Sequence, residues 1–287
     1  MSDHSPRAVC TVIVPAFNES AVIADTLTAL TADARPGEFD VIVACNGCTD
    51  DTAARAAAAA PDARILDIAA ASKTTALNAA IAAARRHPLV FLDADIRTSA
   101  GAVRGLVHAL IWSGRALACG NARFDTARSS WAVRAFYRAW MQNPYFDDRK
   151  MGGFFALSRA GAERIAPLPA TTNDDEYIRR RLSGETIVAD EAPYRIAAPR
   201  TLANLIRVRS RVYRGNRDLE RGGGDTAFGA KRRHGNSRRF AARLLARPGL
   251  WPGAAIFALT AVAAHLRNLT ARGTPVWDRD HSNRQNA

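Results

Sequence analysis

Val12-Ile13-Val14-Pro15-Ala16-Phe17-Asn18-Glu19 decides the reading of this chain: a run of β-branched apolar residues breaks at a proline into a polar, helix-starting turn. The same grammar recurs downstream. Apolar runs at Thr11 to Val14, Val41 to Ala44, Leu89 to Leu92 and Leu117 to Cys119 alternate with Ala-rich stretches of helical period. Ile23, Leu27 and Leu30 share one helical face, as do Leu77 with Ile81, and Val103, Leu106, Val107 and Leu110. Alternating strands and helices predict an α/β fold with a mostly parallel central sheet flanked by helices.

In open sheets of this kind ligands gather outside the carboxyl ends of the strands. Three of those ends are polar here. The first carries Pro15, Ala16, Phe17, Asn18 and Glu19; the second Asn46, Gly47, Thr49, Asp50 and Asp51; the run Leu89 to Leu92 opens into Asp93-Ala94-Asp95. Two carboxylates one residue apart, as a buried strand becomes a loop, supply the hard oxygen ligands that Mg²⁺ or Mn²⁺ takes beside substrate phosphates. Taken alone the pair is equally a solvated turn or a helix cap.

Downstream, Gly152, Gly153 and Phe154 to Leu157 read as another strand, Asn173 to Leu182 as a short charged helix, and Leu202 to Arg221 as a longer basic helix ended by Gly222, Gly223 and Gly224. A basic loop is expected over Lys231 to Arg239. An apolar helix is expected near residues 250–266, interrupted by Pro252 and Gly253 and shorter than a usual membrane span.

The 287 residues, 48% of them hydrophobic, suffice for a proper core. Met1 to Ala8 lacks a continuous apolar stretch, so no secretory signal is read and a cytoplasmic location is expected. Cys10, Cys45, Cys48 and Cys119 suit thiols, because the lone C-x-x-C has no second pair at zinc-site spacing. The formal net charge of +13 is concentrated in Arg195 to Arg247, whose only acids are Asp218, Glu220 and Asp225. Such a block attracts a polyanion: nucleic acid, an anionic membrane surface or a phosphorylated substrate.

The motifs together resemble those of family 2 glycosyltransferases with the GT-A (nucleotide-diphospho-sugar transferase) fold. Val12 to Glu19 resembles the family's opening strand and loop; Asn46-Gly47-Cys48-Thr49-Asp50-Asp51-Thr52 its second turn; Lys73 with Ala76-Leu77-Asn78-Ala79-Ala80 its lysine-led helix; and Phe91 to Asp95 its D-x-D. Gly152 to Arg159 is similar to the acceptor-side glycine strand, and Asn173-Asp174-Asp175 to the acidic pair whose second member is the catalytic base.

The resemblance implies an inverting transferase moving a sugar from a nucleoside-diphosphate sugar to an acceptor hydroxyl, with Mg²⁺ or Mn²⁺ as cofactor. It implies that Asp95 binds the metal, that Asp93 contacts ribose or metal, and that Pro15, Ala16, Asn18, Glu19, Asn46 and Lys73 line the nucleotide. Gly152 and Gly153 fall on the acceptor side. Asp175 is the implied base, with Asp174 its rival. Arg211 and Arg214 stand where relatives carry a diphosphate-binding R-W-x-x-G, although Val212 replaces the tryptophan. Cys45 and Asn46 replace an aspartate pair, one of which contacts the base in relatives, which weakens the argument for uracil; a UDP-sugar stays the first expectation and a GDP-sugar is the alternative.

The implied domain spans 9–221, followed by a basic, partly helical tail over 222–287 whose apolar helix either packs on the domain or lies on the inner face of an anionic membrane, with an envelope glycolipid or polysaccharide as acceptor. Three other readings compete. A nucleic-acid-binding protein lacks aromatics regularly interleaved with its arginines, so nucleic acid is not the expected partner. A nucleotidyltransferase lacks a Gly-rich triphosphate loop after the first strand. A catalytically silent relative acting as a binding module is opposed by the retained acids.

Overall fold

The computed structural model describes residues 9–144, 146, 152–171, 173–221 and 237–270. The chain divides into two compact units, one built from residues up to 123 and 151–195, the other from 124–150 and 196–286. The second unit thus joins two separate stretches of the chain, one of which contains the long basic helix.

The elements run β1 (Cys10–Ala16), α1 (Ile23–Thr31), β2 (Phe39–Asn46), α2 (Thr52–Ala59), β3 (Arg64–Ile68), α3 (Lys73–Ala83), β4 (Leu89–Leu92), α4 (Ala100–Ser113), β5 (Leu117–Asp125), α5 (Trp131–Trp140), β6 (Phe154–Leu157), α6 (Arg159–Ile165), α7 (Asp174–Arg181), β7 (Thr186–Ala197), α8 (Leu202–Arg221), α9 (237–245) and α10 (Trp251–Thr270), with one 3₁₀ turn at Pro248–Leu250. They form a seven-stranded sheet in the order β3-β2-β1-β4-β6-β5-β7. β1 to β4 pair in parallel, while β6 runs antiparallel to both β4 and β5.

β1 is central and buried along its whole length, which is why it reads as a continuous apolar run. Pro15 is tolerated in it because pairing with β4 ends at Ile13↔Phe91, while Pro15 still lies opposite Ala44 on β2. Ile23, Leu27 and Leu30 of α1 are fully buried, at about 2 kcal/mol of transfer energy each. Serine N-caps set the starts of α3, α4 and α6: Ser72, Ser99 and Ser158 accept from the backbone N–H of Thr75, Ala102 and Gly161. In α7 the first turn carries Asp174, Asp175 and Glu176 and the last Arg179, Arg180 and Arg181, both complementing the helix dipole.

In the second unit α10 packs on α5 and α8. Phe124, Phe136, Tyr137, Trp140, Phe146 and Phe257 form an aromatic cluster. The basic loop expected over Lys231 to Arg239 is helical from Ser237 onward; its first six residues, like Gly222 to Gly224, lie outside the described residues.

Candidate functional site

The carboxyl ends of β1, β2 and β4 lie side by side at one edge of the sheet, and hydrogen bonds lock the β1 and β2 loops together. Asn18 sits in the left-handed region with φ 51°, a conformation that asparagine adopts more readily than most residues. In that pose its Oδ1 accepts the N–H of Thr49 at 2.8 Å, and its Nδ2 donates to the Thr49 hydroxyl at 3.2 Å. The buried Glu19 donates its backbone N–H to the Thr52 hydroxyl at 2.8 Å. Asn46, also buried, donates from Nδ2 to the carbonyl of Ala16 at 2.9 Å, so one of its amide donors holds β1 to β2. Gly47, at φ 64°, turns the chain there; a Cβ would meet Ala71 at 2.9 Å.

Lys73 is the first residue of α3 and its side chain is largely buried. Its ammonium lies 3.0 Å from Asp93 Oδ1 and 3.1 Å from Asp174 Oδ2, joining the loop after β4 to the start of α7. Burial works against the charged form, but Asp174, Asp93 and Asp175 outweigh it and hold the lysine's pKa well above the usual value. One ammonium thus faces three carboxylates.

Asp93 is fixed from the other side by β6. Phe91 stacks on its cross-strand partner Phe155 with centroids 4.7 Å apart, which sets the register of the two strands. The Asp93 N–H then donates to the Gly153 carbonyl at 2.7 Å. A Cβ at Gly153 would come within 2.0 Å of Asp93 Oδ2, so glycine there is what admits the carboxylate. Gly153, expected on the acceptor side, therefore has a direct steric duty toward the D-x-D; Gly152 accepts from the Phe154 N–H at 2.6 Å. The loop carrying Asp95 is braced by α1, where the Thr26 hydroxyl donates to the Ala94 carbonyl at 2.7 Å. Asp95 itself is exposed.

The three acids of α7 divide their work. Asp174 is buried against Lys73. Glu176 takes Arg179 at 2.7 Å and Arg180 at 2.8 Å; although burial pushes its carboxyl up, these arginines bring it below the usual range. Asp175 lies between these two in the chain and contributes to the field on Lys73. The loop before α7 is held by Asn78 of α3, whose Nδ2 donates to the Leu168 carbonyl at 2.9 Å and whose Oδ1 accepts the Leu168 N–H at 2.8 Å. Asn78 has no side-chain role in the sequence reading, where it appears only within the lysine-led motif. Its position five residues beyond Lys73 is the local signal that could have marked it.

Arg211 and Arg214 stand on α8 in the second unit, where Arg214 approaches Asn268 Oδ1 at 3.4 Å. Their neighbour Arg209 lays its guanidinium over Trp140 and Tyr213, 4.9 and 4.8 Å from the ring centroids. The cysteines are all thiols, and burial followed by the influence of Cys48 pushes Cys45 up to about 12, which suits inert packing. A concavity of about 350 Å³ lined by His87, Leu110, Arg115 and Arg159 lies at the amino end of β4, away from Asp93.

Among the described residues no three His, Cys, Asp or Glu side chains converge as a complete metal cage. A hard cation at the β4 loop would find one or two carboxylates, Asp95 and Asp93, and would need further oxygens from a phosphate ligand. That donor set fits Mg²⁺ or Mn²⁺, which commonly retain substrate or water oxygens.

Comparison with known proteins agrees with this arrangement. A search of curated proteins returned no match. Among solved structures, a mannosyltransferase from Pyrobaculum calidifontis, solved with GDP-Man and Mn²⁺, is similar over 93% of this chain and 88% of its own, at 19% identity and a TM-score of 0.66; the likeness shows the fold. A glucosyl-3-phosphoglycerate synthase from Mycobacterium tuberculosis, solved with Mn²⁺ and UDP, shares 22% identity over 66% of this chain and 70% of its own, but at a TM-score of 0.48 it adds nothing to that argument. The profile described as Glycosyl transferase family 2 matches residues 11–160, just over half of the chain and the whole stretch from β1 through the D-x-D to β6. Sequence motifs, sheet order and profile converge: the chain belongs to glycosyl transferase family 2.

Proposed function

We propose that this chain is an inverting, metal-dependent glycosyltransferase that moves a sugar from a nucleoside-diphosphate sugar to an acceptor hydroxyl. The observation that carries the reading is the bridge from Asp93 through Lys73 to Asp174, which ties the D-x-D loop to the acidic start of α7 at the carboxyl ends of the strands. Donor and acceptor chemistry need those two loops held in register, since transfer demands a near-attack alignment.

Pro15, Ala16, Asn18, Glu19 and Asn46 line the nucleoside, with the Asn18–Thr49 and Asn46–Ala16 bonds keeping that edge rigid. Asp95, with Asp93, would hold Mg²⁺ or Mn²⁺; the cation supplies Lewis-acid stabilisation of the charge that grows on the departing diphosphate. Lys73 keeps Asp93 aimed and adds positive charge behind it. Arg211 and Arg214 add phosphate-binding forks.

Asp175 takes the acceptor proton as the hydroxyl oxygen attacks the anomeric carbon from the face opposite the diphosphate, so the bond to the leaving oxygen breaks as the new one forms and configuration inverts. The resemblance of Asn173-Asp174-Asp175 to the family's acidic pair, whose second member is the base, supports assigning this role to Asp175. Gly152 and Gly153 leave room on the acceptor side. A UDP-sugar is the first donor to test and a GDP-sugar the second, the Pyrobaculum enzyme of this fold having been solved with GDP-Man. The acceptor is taken to be an envelope glycolipid or polysaccharide, glycosylated on the cytoplasmic side.

The test is calorimetric titration of UDP, GDP, dTDP and CDP, each with Mn²⁺, Mg²⁺ and chelator. Binding of one nucleotide that chelator or Asp95→Asn abolishes is expected. Binding of none, or undiminished binding by Asp95→Asn, would reject the donor site as described.

A further inference from the structure

The helix α10 is apolar on both of its faces, and only one of them is covered. On the covered face Gly253, Thr260 and Ala264 are buried. A Cβ at Gly253 would come within 2.2 Å of the Ala135 carbonyl, so α10 meets α5 at backbone distance. Phe257 stacks on Phe136, and Asn268 donates to the Ser210 carbonyl of α8 at 2.9 Å. The opposite face holds Trp251, Leu259, Val262, Leu266 and Leu269, which are 54%, 68%, 58%, 56% and 62% exposed. At 100° per residue these five fall within one narrow arc, and the strip they form is about 27 Å long. No ionisable side chain falls on that arc, and the exposed His265 lies about 40° to one side of it.

The charge that flanks this strip in the sequence names its occupant. From Thr226 to Trp277 the sequence has nine lysines and arginines and no aspartate or glutamate. Arg238 and Arg239 on α9, Arg247 at the turn into α10 and Arg267 near its end are all exposed. A second copy of the chain would bring the same positive charge to the contact and be repelled. An anionic bilayer meets both requirements, with hydrocarbon for the leucines and phosphate for the arginines, and Trp251 has the amphipathic ring favoured at such boundaries.

Pro248–Leu269, 22 residues at a mean hydropathy of 1.5, is long and apolar enough to cross a membrane. Packing argues instead for lying flat, because α10 is joined along one face to α5 and to α8, whose Arg207 and Arg211 are exposed and would have to enter the hydrocarbon with it. We propose that α10 lies in the plane of an anionic bilayer, its Trp251–Leu269 face sunk to the acyl boundary and the neighbouring arginines on the headgroups. This surface goes beyond the transfer reaction and stands independently of it.

The experiment is sedimentation of the full chain with vesicles of phosphatidylcholine alone, or with about three parts in ten phosphatidylglycerol, at low and high salt. Strong binding to the anionic vesicles, weakened by salt, is expected. Leu259→Ser with Leu266→Ser should lower the partition coefficient at least about tenfold at either salt concentration. Arg238→Gln with Arg239→Gln and Arg247→Gln should remove the preference for phosphatidylglycerol. All five side chains are exposed, and an unchanged circular dichroism spectrum checks that each variant folds. Failure of the wild type to bind anionic vesicles, or equal binding by the leucine variant, would overturn the proposal. So would a lipid-free dimer in analytical ultracentrifugation that the leucine variant dissociates, since a second copy would then own the face.

Discussion

At the amino-terminal edge of the sheet Asp40 is met by the Arg64 guanidinium at 2.8 Å and by the Thr11 hydroxyl at 2.9 Å, while Glu38 takes Arg104 at 2.7 Å. At the opposite edge the single ammonium of Lys73 faces Asp93, Asp174 and Asp175. Both edges bury ions, but the first pairs each acid with a planar cation whose fork matches it, and in the second one compact ammonium is shared by acids from two different loops. An ion pair alone therefore says little about function here. A lysine shared between two loops, at the strand ends where ligands gather in such sheets, is what distinguishes the second edge from a pair that fastens strands together.

The comparison breaks most sharply at Asp175. Replacing it with asparagine removes the proposed proton acceptor but leaves the Lys73 bridge, so kcat should fall about a thousandfold while nucleotide affinity stays within a factor of two or so. Steady-state rates beside calorimetry would decide it; retained turnover would pass the role to another acid. A smaller effect follows from exchanging cations. Lys73→Met leaves two carboxylates facing each other and should cost about 3 kcal/mol in urea unfolding together with nucleotide binding. Arg64→Met should cost about 2 kcal/mol and leave nucleotide binding intact. Loss of binding in both variants, or in neither, would erase the distinction between the two edges.

The smallest effect is in pH. The Arg104 hydrogen bond, against a slight opposing effect of burial, lowers Glu38 from 4.5 to about 2. A depressed carboxyl stabilises the fold above its unfolded value, and that stability is lost as pH falls from about 4.5 towards 2. With Arg104 substantially exposed, the contribution should be no more than about 1 kcal/mol, and Glu38→Gln should remove it from the acid limb of a stability profile. A variant whose acid limb matches the wild type would show that the pair adds nothing.

Much of the first unit was legible in the chain because its signals are local. β1, β2 and β4 announce themselves as apolar runs since they are buried on both faces, whereas β3, an edge strand of intermediate burial with Arg64 and Asp67 in it, leaves no such run and went unread. β7, twelve residues long at the other edge, was missed for the same reason. The long basic helix was anticipated over the residues it occupies, Leu202–Arg221, with Gly222 to Gly224 as the signal for its end.

The sequence by itself determined the strand and helix alternation, the polar strand ends, the D-x-D and the basic second half, all of which rest on neighbours a few residues apart. Only the tertiary structure decided that Lys73 binds Asp93 and Asp174 together, that Gly153 makes room for the Asp93 carboxylate, that Asn78 clips the loop before α7, and that one face of α10 is covered while the other stays exposed. These depend on which strands and helices become neighbours, and side chains far apart in sequence acquire their distances, and hence their charges and clearances, from that order alone.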